Sequence, residues 1–322
     1  MTDARILVVG QLARDVVLTV ERMPPPGAAA DVRERRELLG GKGANQAVAL
    51  GQLGARPVLL AVAGADEVAE DLLGQARRDG IDVSSVVRRA GAPTALIVEA
   101  LDAEGRWRYL QHIPDGMLLT EADVTAADDA FGRADAVLVQ LQQPPATALA
   151  AARRTRAAGR LLVLDGAPAD DGHRAPLLAA ADVVRADDRE TELLTGVPAD
   201  DPDRVRSVAT ELLAAGPRLL ALGLGAAGNL FVWRDSRSGG SAALLVPLTR
   251  EKVVDTTGAG DALTAALTVA LLRGDPPDAA ARYAVAAAGA TVGHPGGRPE
   301  LTAGALRDRL ADLDAQLPAT AR

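Results

Sequence analysis

Short apolar segments that alternate with alanine-rich segments of helical length constrain the fold of this chain more than any other feature. The apolar, β-branched segments occupy residues 5–10, 57–64, 135–140, 160–166, 181–186 and 218–225. The alanine-rich segments occupy residues 43–54, 66–79, 145–158 and 201–215. Strands that alternate with helices indicate an α/β fold with a central, mostly parallel sheet. Nearly continuous apolar strands indicate that flanking helices cover both faces of that sheet.

Two segments depart from this alternation. Residues 14–37 and 94–112 contain strand-like stretches with polar residues at alternate positions, and "DAEGR" at 102–106 is typical of a hairpin turn. These segments predict a small β-sheet lid, half exposed, that stands on the main sheet. Ordinary edge strands explain the same pattern equally well.

The composition excludes several classes of function. The chain has 322 residues and no cysteine, which excludes disulfides, thiolate metal sites and a cysteine nucleophile. Its net charge of -8 argues against a nucleic-acid partner, because affinity for a phosphate backbone rests on clustered Lys and Arg. No segment approaches the roughly 20 apolar residues of a membrane helix, and the N-terminal residues do not resemble a secretory signal. We therefore expect a cytoplasmic protein with no membrane partner.

The segment "GLGAAG" at 223–228 matches the spacing of a dinucleotide-binding turn. That motif requires a following helix to carry the pyrophosphate, whereas the next residues, "NLFVWRD", predict a strand. The sequence therefore favours a strand-turn-strand unit, either as a plain connection or as a turn that contacts a nucleotide.

A second glycine-rich segment, "GGKGANQA" at 40–47, lacks the spacing of a nucleotide-binding phosphate loop. Its three glycines in four positions still allow the backbone to approach a ligand closely, and Asn45 and Gln46 then open a predicted helix. The alternative is a tight turn in which Asn45 only caps that helix.

A third segment, "DTTGAGDALTAAL" at 255–267, places glycines and then Asp261 at the start of an apolar helix. The N–H groups at a helix start attract negative charge, including the charge on a phosphoryl group in transfer. Taken alone, the pattern favours the simpler alternative, in which Asp261 is only a helix cap.

Together, "GGKGANQA" (the first signature) and "DTTGAGDA" at 255–262 (the second signature) resemble the paired signatures of the ribokinase-type carbohydrate kinase family, also called the phosphofructokinase-B type. The resemblance extends to "VVGQLARD", "APTALIV", "DGAPA", "ETELLTG" and "LGAAG", and within the family it is nearest to the ribokinases. It implies a single ribokinase-like kinase domain over residues 1–322, with the lid in segments 14–37 and 94–112. It also implies transfer of the γ-phosphoryl group of ATP to a sugar hydroxyl with Mg²⁺, and a homodimer formed through the lid.

The resemblance implies the site residues position by position. The catalytic group consists of Asp261 as the base and Gly258, Ala259 and Gly260 as the anion hole. The sugar contacts are Asp15, Gly40, Gly41, Lys42, Asn45 and Gln142, together with Asp261. The nucleotide contacts are Asp187, Gly223, Gly225, Gly228 and Gly260, and Glu190 acts indirectly on Mg²⁺. The resemblance also implies a site for an activating monovalent cation, K⁺, formed by Asp255, Thr257, Thr291, His294 and Gly296.

The chain departs from the family pattern at four positions. Ala13 and Gln142 stand where ribokinases carry Asn and Glu, and both changes remove hydrogen-bonding capacity toward a sugar. Because such bonds discriminate between sugars, ribose itself is not assured as the acceptor. Asp187 replaces an Asn without loss, since Mg²⁺ prefers hard oxygen ligands, and Glu300 stands where the cation site often has a small polar residue.

Three functions follow from this sequence. The first is an ATP-dependent kinase that acts on a pentose or a related furanose. The second is a nucleoside kinase on the same fold, for which Trp107 and Tyr109 in the lid supply aromatic faces. The third is a sugar-binding homologue without catalysis, which the changes at Ala13 and Gln142 suggest and the complete second signature opposes.

Overall fold

The computed structural model describes residues 3–236, 238–293 and 298–317. Its strands are β1 (Arg5–Val9), β2 (Ala13–Val20), β3 (Val32–Gly40), β4 (Arg56–Leu60), β5 (Val62–Gly64), β6 (Val87–Arg89), β7 (Leu96–Asp102), β8 (Trp107–His112), β9 (Ala136–Gln140), β10 (Leu161–Asp165), β11 (Val183–Ala186), β12 (Leu219–Gly223), β13 (Asn229–Arg234) and β14 (Ser241–Val246). Its helices are α1 (Lys42–Gln52), α2 (Glu67–Arg78), α3 (Glu121–Ala126), α4 (Asp128–Arg133), α5 (Pro145–Ala157), α6 (Arg174–Ala180), α7 (Asp188–Thr195), α8 (Pro202–Leu212), α9 (Ala259–Leu272), α10 (Pro277–Thr291) and α11 (Ala303–Gln316).

The main sheet has eight strands in the order β14-β13-β12-β11-β10-β9-β1-β4. The six strands from β12 to β4 run parallel to one another, and β13 and β14 continue the sheet in antiparallel pairs. The predicted α/β fold with a mostly parallel central sheet is therefore confirmed. One predicted strand, 57–64, is in fact two, because β5 leaves the main sheet and pairs with β6.

Helices cover both faces of the main sheet, as the apolar strands predicted. Along β1, Ile6 and Val8 belong to one apolar cluster, which includes residues of α1, α9 and α10. Leu7 and Val9 belong to a second cluster, which includes residues of α5, α6 and α8. Alternate residues of a strand point to opposite faces, so each strand contributes to both layers of the core.

The lid is a separate four-stranded sheet in the order β3-β2-β7-β8. Its strands lie in the two segments whose polar alternation predicted a small sheet, and β3 is exposed over its first five residues. The predicted hairpin joins β7 to β8, and Asp102 closes it by accepting hydrogen bonds from the N–H groups of Glu104 and Arg106, both at 3.0 Å. The same carboxylate also accepts from Nε of Arg106 at 2.9 Å.

Polar residues lie at the carboxyl ends of three neighbouring parallel strands. Gln140 of β9 pairs in register with Asp165 of β10, and Asp165 pairs with Arg185 of β11. In open parallel sheets, ligands bind in the crevice at this edge. The fold thus directs a row of polar side chains toward the edge where a site is expected.

Candidate active site

The two glycine-rich signatures meet at the carboxylate of Asp261. This residue lies in the first turn of α9, and its two oxygens accept hydrogen bonds from Nδ2 of Asn45 (3.3 Å) and Nε2 of Gln46 (3.2 Å). Both amides belong to the first turn of α1. All three side chains are buried, so the acid of the second signature lies against the amides of the first in the interior of the protein.

Neither Asn45 nor Asp261 caps a helix. Gly41 is the N-cap of α1 and Gly258 is the N-cap of α9, and neither helix start has a side-chain cap bond. The alternatives in which Asn45 or Asp261 is only a cap are therefore wrong. Glycine takes both N-cap positions because φ there is positive, at 85° and 74°, a conformation that other residues rarely adopt.

The surroundings of Asp261 suit it to accept a proton. Its pKa is raised to about 7, mainly by burial and then by the negative charge of Asp165, while the positive charges of Lys42 and Arg185 oppose the shift. A general base is most effective when its pKa lies near the operating pH. Asp261 is thus able to take a proton from a hydroxyl group at neutral pH.

The glycines of the first signature allow close packing around Asp15 of β2. A Cβ atom on Gly40 would lie 1.9 Å from Cγ of Asp15, and one on Gly41 would lie 2.9 Å from the carbonyl oxygen of Gln11. Any larger residue at position 40 would displace the Asp15 carboxylate. The Asp15 carboxylate therefore accounts for Gly40, and the backbone of Gln11 accounts for Gly41.

Three buried oxygen atoms around this site have no hydrogen-bond partner among the described residues. They are Oδ1 of Asp15, Oδ1 of Asn45 and Oε1 of Gln46. Burial raises the pKa of Asp15 to about 7, although a hydrogen bond from the N–H of Gly41 opposes this shift. Buried acceptors normally have donors, so this group of atoms suits a ligand that carries several hydroxyl groups.

Two positive side chains flank the same space. Nζ of Lys42 lies 3.4 Å from Oε1 of Glu190. Arg185 is buried, with its Nη1 3.1 Å from Oδ1 of Asp165 and 3.9 Å from Oε2 of Glu190. Gln46 joins this network as well, because its Nε2 donates to Oδ2 of Asp165 at 2.8 Å. Buried charges need such partners, and here the partners are the acids of the site itself.

The predicted anion hole lies at the start of α9. The N–H of Ala259 makes a 3.3 Å bond to the carbonyl of Thr256, so it is partly engaged within the turn. The first turn of a helix has N–H groups without intrahelical partners and a partial positive charge. Gly258, Ala259 and Gly260 therefore form a surface suited to an anion.

The predicted nucleotide residues lie at the start of α7 and in the turn after β12. Asp187 and Glu190 form a reciprocal cap, in which each side chain accepts the backbone N–H of the other at 2.8 and 2.9 Å. A Cβ atom on Gly223 would lie 2.9 Å from the backbone N of Asp188, so glycine brings the two elements together. A cavity of about 310 Å³ lies between them and is lined by Asp188, Arg189, Glu192, Pro198, Ala199, Asp200, Leu224, Gly225 and Ala226.

The "GLGAAG" segment is a strand-turn-strand unit, as its sequence context favoured. β12 and β13 pair in antiparallel fashion across a short 3-10 turn at Gly225–Ala227. Gly228 has a φ of 109°, and a Cβ atom there would lie 2.2 Å from the carbonyl oxygen of Val246. Packing against β14 therefore accounts for Gly228, whereas Gly225 borders the cavity.

Two lid residues contact the second signature. The hydroxyl of Tyr109 on β8 forms a short hydrogen bond with Oγ1 of Thr257. Glu99 on β7 accepts from the same Oγ1 at 3.3 Å, and burial raises the pKa of Glu99 to about 8. The rings of Tyr109 and Trp107 lie 4.5 Å apart between centroids. The lid thus rests on the loop that precedes α9.

Three of the predicted monovalent-cation residues lie in adjoining segments. The N–H of Thr257 donates to Oδ1 of Asp255 at 2.8 Å, and the backbone N–H of Asp255 donates to the carbonyl of Val292 at 3.1 Å, next to Thr291. His294 and Gly296 lie outside the described residues. Within the described ranges, no group of three or more His, Asp or Glu side chains is arranged to hold a metal ion.

The two departures that concern the sugar contacts, Ala13 and Gln142, have different surroundings. Ala13 is buried and pairs in register with Gly40 of β3. Gln142 is exposed, and its Oε1 accepts a hydrogen bond from Nε2 of Gln140 at 2.9 Å. Ala13 therefore contributes no polar atom beside Asp15, and Gln142 lies at the rim of the site.

The sequence interpretation missed Asp165, Arg185 and Glu99 as members of the site. Asp165 and Arg185 were included in segments that predicted buried strands, and Glu99 in a lid strand. The sequence does contain a signal for Asp165 and Arg185, because a charged residue at the end of an apolar strand must either be exposed or have a buried partner. That each is the partner of the other follows only from the order of the strands in the sheet.

Comparisons with known proteins agree with this geometry. The sequence model of the family described as "pfkB family carbohydrate kinase" matches residues 3–303. The ribokinase of Staphylococcus aureus (strain COL) is 30% identical over 258 residues, which are 80% of this chain and 83% of the relative. The deoxyribokinase of Salmonella typhi is 26% identical over 280 residues, which are 87% of this chain and 90% of the relative.

Among solved structures, the Arabidopsis thaliana ribokinase complexed with ribose and ATP has the same fold. Its TM-score is 0.78 at 24% sequence identity, and the match covers 96% of this chain and 99% of the other. Among the described residues of the present protein, no helix combines the length and apolar character needed to cross a membrane. The expected ribokinase-like fold is confirmed, and the match over residues 3–303 shows that this chain belongs to the pfkB family of carbohydrate kinases.

Proposed function

We propose that the protein transfers the γ-phosphoryl group of ATP to a hydroxyl group of a pentose or a related furanose. The observation that carries this proposal is the contact of Asp261 with Asn45 and Gln46 at the start of two helices. It puts a buried carboxylate with a pKa of about 7 beside the anion-binding turn of α9.

In this proposal the acceptor sugar lies between Asp15 and Asp261. The unpartnered oxygens of Asp15 and Asn45 accept hydrogen bonds from sugar hydroxyls and fix the orientation of the ring. Asp261 accepts the proton of the reacting sugar hydroxyl while the oxygen of that hydroxyl attacks the γ-phosphorus. The start of α9 stabilises the negative charge that spreads over the phosphoryl oxygens.

The residues for ATP and Mg²⁺ are those of the α7 start and the turn after β12. Mg²⁺, when bound, neutralises the β- and γ-phosphates. Mg²⁺ usually keeps several waters and takes few carboxylates from the protein, which agrees with the two carboxylates of Asp187 and Glu190 at the start of α7. These two residues would hold the hydrated ion, and the Gly225 turn would border the nucleotide.

The relatives and the unpartnered oxygen atoms of the site both bear on the identity of the acceptor. The relatives named above are a ribokinase and a deoxyribokinase, so ribose and deoxyribose are the first candidates. The nucleoside alternative depends on aromatic faces, but Tyr109 is already engaged with Thr257 and Trp107. The unpartnered acceptors favour a compact polyol over a base-bearing nucleoside.

An acceptor panel tests the proposal. ATP turnover is measured as ADP release with D-ribose, 2-deoxy-D-ribose, D-fructose and adenosine, each with Mg²⁺. We expect the highest kcat/KM with a free pentose or furanose. A preference for adenosine would support the nucleoside kinase, and binding of a sugar without turnover on any acceptor would support the non-catalytic alternative.

We further propose that K⁺ activates the enzyme beside Asp255 and Thr257, that two copies associate through the lid, and that the protein is cytoplasmic. On β8, the edge strand of the lid, Leu110 is 73% and Trp107 47% exposed, which suits an apolar interface. Replacement of K⁺ by Na⁺ in the assay tests the activation, and we expect kcat to be lower in Na⁺. Sedimentation of the wild type and of Leu110→Glu tests the association through the lid, and we expect a dimer for the wild type and a monomer for the variant.

A further inference from the structure

Arg185 is a buried arginine at the carboxyl end of β11, and its guanidinium is only partly used by its ion pair. Its side chain is 10% exposed, and Nη1 donates to Oδ1 of Asp165, its register partner on β10, at 3.1 Å. Within the described ranges, no hydrogen bond from Nη2 to another group is formed. One side of the guanidinium is therefore anchored, and the other side has donor capacity left over.

The unused side of the guanidinium faces the anion-binding turn. A Cβ atom on Gly260 would lie 2.2 Å from Nη2 and 2.7 Å from Cζ of Arg185. Gly260 thus leaves the space that the guanidinium occupies, one residue before Asp261. The guanidinium of Arg185 therefore lies next to the first turn of α9, and both the guanidinium and that turn favour negative charge.

A purely structural ion pair does not explain this arrangement well. Neutralising Asp165 needs one charge, and Nε2 of Gln46 also donates to that carboxylate at 2.8 Å. Asp165 therefore has a second side-chain donor besides Arg185. A planar guanidinium held from one side by a carboxylate is preorganised to bind a phosphoryl oxygen with the other.

From this geometry we infer that Arg185 is a catalytic residue, which donates from Nη2 to an oxygen of the transferring phosphoryl group. The inference rests on the proposed function. In the transfer, the acceptor oxygen forms a bond to the γ-phosphorus, the bond from that phosphorus to the bridging oxygen breaks, and its electron pair passes to ADP. The hydroxyl proton passes to Asp261. Arg185 exchanges no proton and stabilises the phosphoryl charge, while Asp165 is its positioning residue.

The test compares Arg185→Gln with the double variant Asp165→Asn/Arg185→Gln, which leaves no unpaired buried charge. If Arg185 only balances Asp165, the double variant regains activity. We expect kcat to fall by about 10²–10³ in both variants, with the acceptor KM little changed. An arginine that acts alone at a phosphoryl-transfer site contributes more to the rate, but in these variants Lys42 still supplies a positive charge to the site. If the single variant does not fold, the double variant is compared directly with the wild type, and the same loss of kcat is expected.

Nucleotide binding gives a readout that does not depend on turnover. Calorimetry with ADP and with a non-hydrolysable ATP analogue, AMP-PNP, compares ligands that differ in the γ-phosphoryl group. We expect the double variant to bind AMP-PNP about tenfold more weakly or worse, since charge-assisted hydrogen bonds to phosphate are strong, and to bind ADP as the wild type does. Equal changes for both nucleotides would overturn the inference, as would recovery of kcat in the double variant.

A control variant is available in an ion pair near the amino end of β11, opposite the end that carries Arg185. Arg156 of α5 lies 3.4 Å from Asp182, a buried residue that precedes the first residue of β11. Arg156→Gln is expected to leave kcat and AMP-PNP affinity unchanged. Wild-type protein without activity on any acceptor would defeat the proposed function, whereas active wild type with an equally active double variant would defeat only the role of Arg185.

Discussion

Asn45 and Asp261 are 216 positions apart in the chain, and Nδ2 of Asn45 lies 3.3 Å from Oδ2 of Asp261. The contact joins the first turns of α1 and α9, which pack on the same face of the main sheet. It fixes the direction of the Asp261 carboxylate through an amide that cannot change its charge.

Asp261→Asn is expected to remove most of the turnover while leaving sugar binding nearly intact. The amide preserves the shape of the side chain but cannot accept the hydroxyl proton, and a positioned general base contributes about 10²–10⁴ in rate. ADP release gives kcat, and calorimetry gives the affinity for the sugar. Turnover close to that of the wild type would contradict the assignment of Asp261 as the base.

The activity is expected to depend on pH through the same carboxylate. The base must be ionised, and the pKa of Asp261 is raised to about 7, so kcat/KM should fall below pH 7 by about tenfold per pH unit and level off above it. Asp165→Asn removes a charge that raises this pKa, so the acid limb should move to lower pH. The ionisable groups that interact with Asp261 are Asp165, Lys42, Arg185 and Asp15. An acid limb at the same pH in both proteins would exclude Asp261 as its source.

Gly40→Ala is expected to weaken acceptor binding. The new Cβ would overlap the Asp15 carboxylate at 1.9 Å, and overpacking of this kind costs about 1–3 kcal/mol. The acceptor KM and the melting temperature separate a local effect from a global one. Gly132→Ala on α4 is the control, because nothing lies within 4 Å of its Cβ position. Equal behaviour of the two variants would contradict the packing argument.

Tyr109→Phe is expected to raise the acceptor KM by about fivefold, because it removes a lid contact that is worth about 1 kcal/mol. The variant keeps the ring and its contact with Trp107 and loses only the hydrogen bond to Thr257. Trp107→Leu removes the ring contact but not the hydroxyl, so it should have the smaller effect. The reverse order would show that the ring contact, and not the hydroxyl, holds the lid.

Gly228→Ala and Gly225→Ala are expected to fail in different ways. Both residues have positive φ, but only the Cβ at Gly228 would meet a backbone atom, the carbonyl oxygen of Val246 at 2.2 Å. Gly228→Ala should lower the free energy of unfolding by about 2 kcal/mol or more. Gly225→Ala should mainly raise the KM for ATP. Denaturant unfolding and ATP titration distinguish these effects, and a stability loss confined to Gly225→Ala would refute the packing explanation.

The main sheet was predictable because its strands are apolar on both faces and separated by helices. The boundaries of β1, β9 and β10 differ from the predicted segments by only one residue at an end. The segment 57–64 could not be divided from its pattern, since a continuous apolar run does not reveal which sheet each half joins. That division follows from the pairing of Val62 with Val87, a contact between distant parts of the chain.

The site was predictable only where local glycine patterns mark it. Asp261 and Asn45 stand out because glycines precede them, although for Asp261 the local pattern alone favours a helix cap. Asp165 and Arg185 carry no local mark, and their pairing depends on β10 and β11 being neighbours in register. Charges that are balanced across strands are visible only once the strand order is known.

The contact of Tyr109 and Glu99 with Thr257 also has a kinetic consequence. Both lid strands reach the loop before α9 only when the lid lies on it, and a closed lid keeps water away from the reacting group. A lid that moved away from the loop to admit water would lose both of these hydrogen bonds, so water would reach the reacting group only when the loop is less firmly held. We therefore expect the enzyme to hydrolyse ATP very slowly without sugar, so that little nucleotide is wasted between productive turnovers.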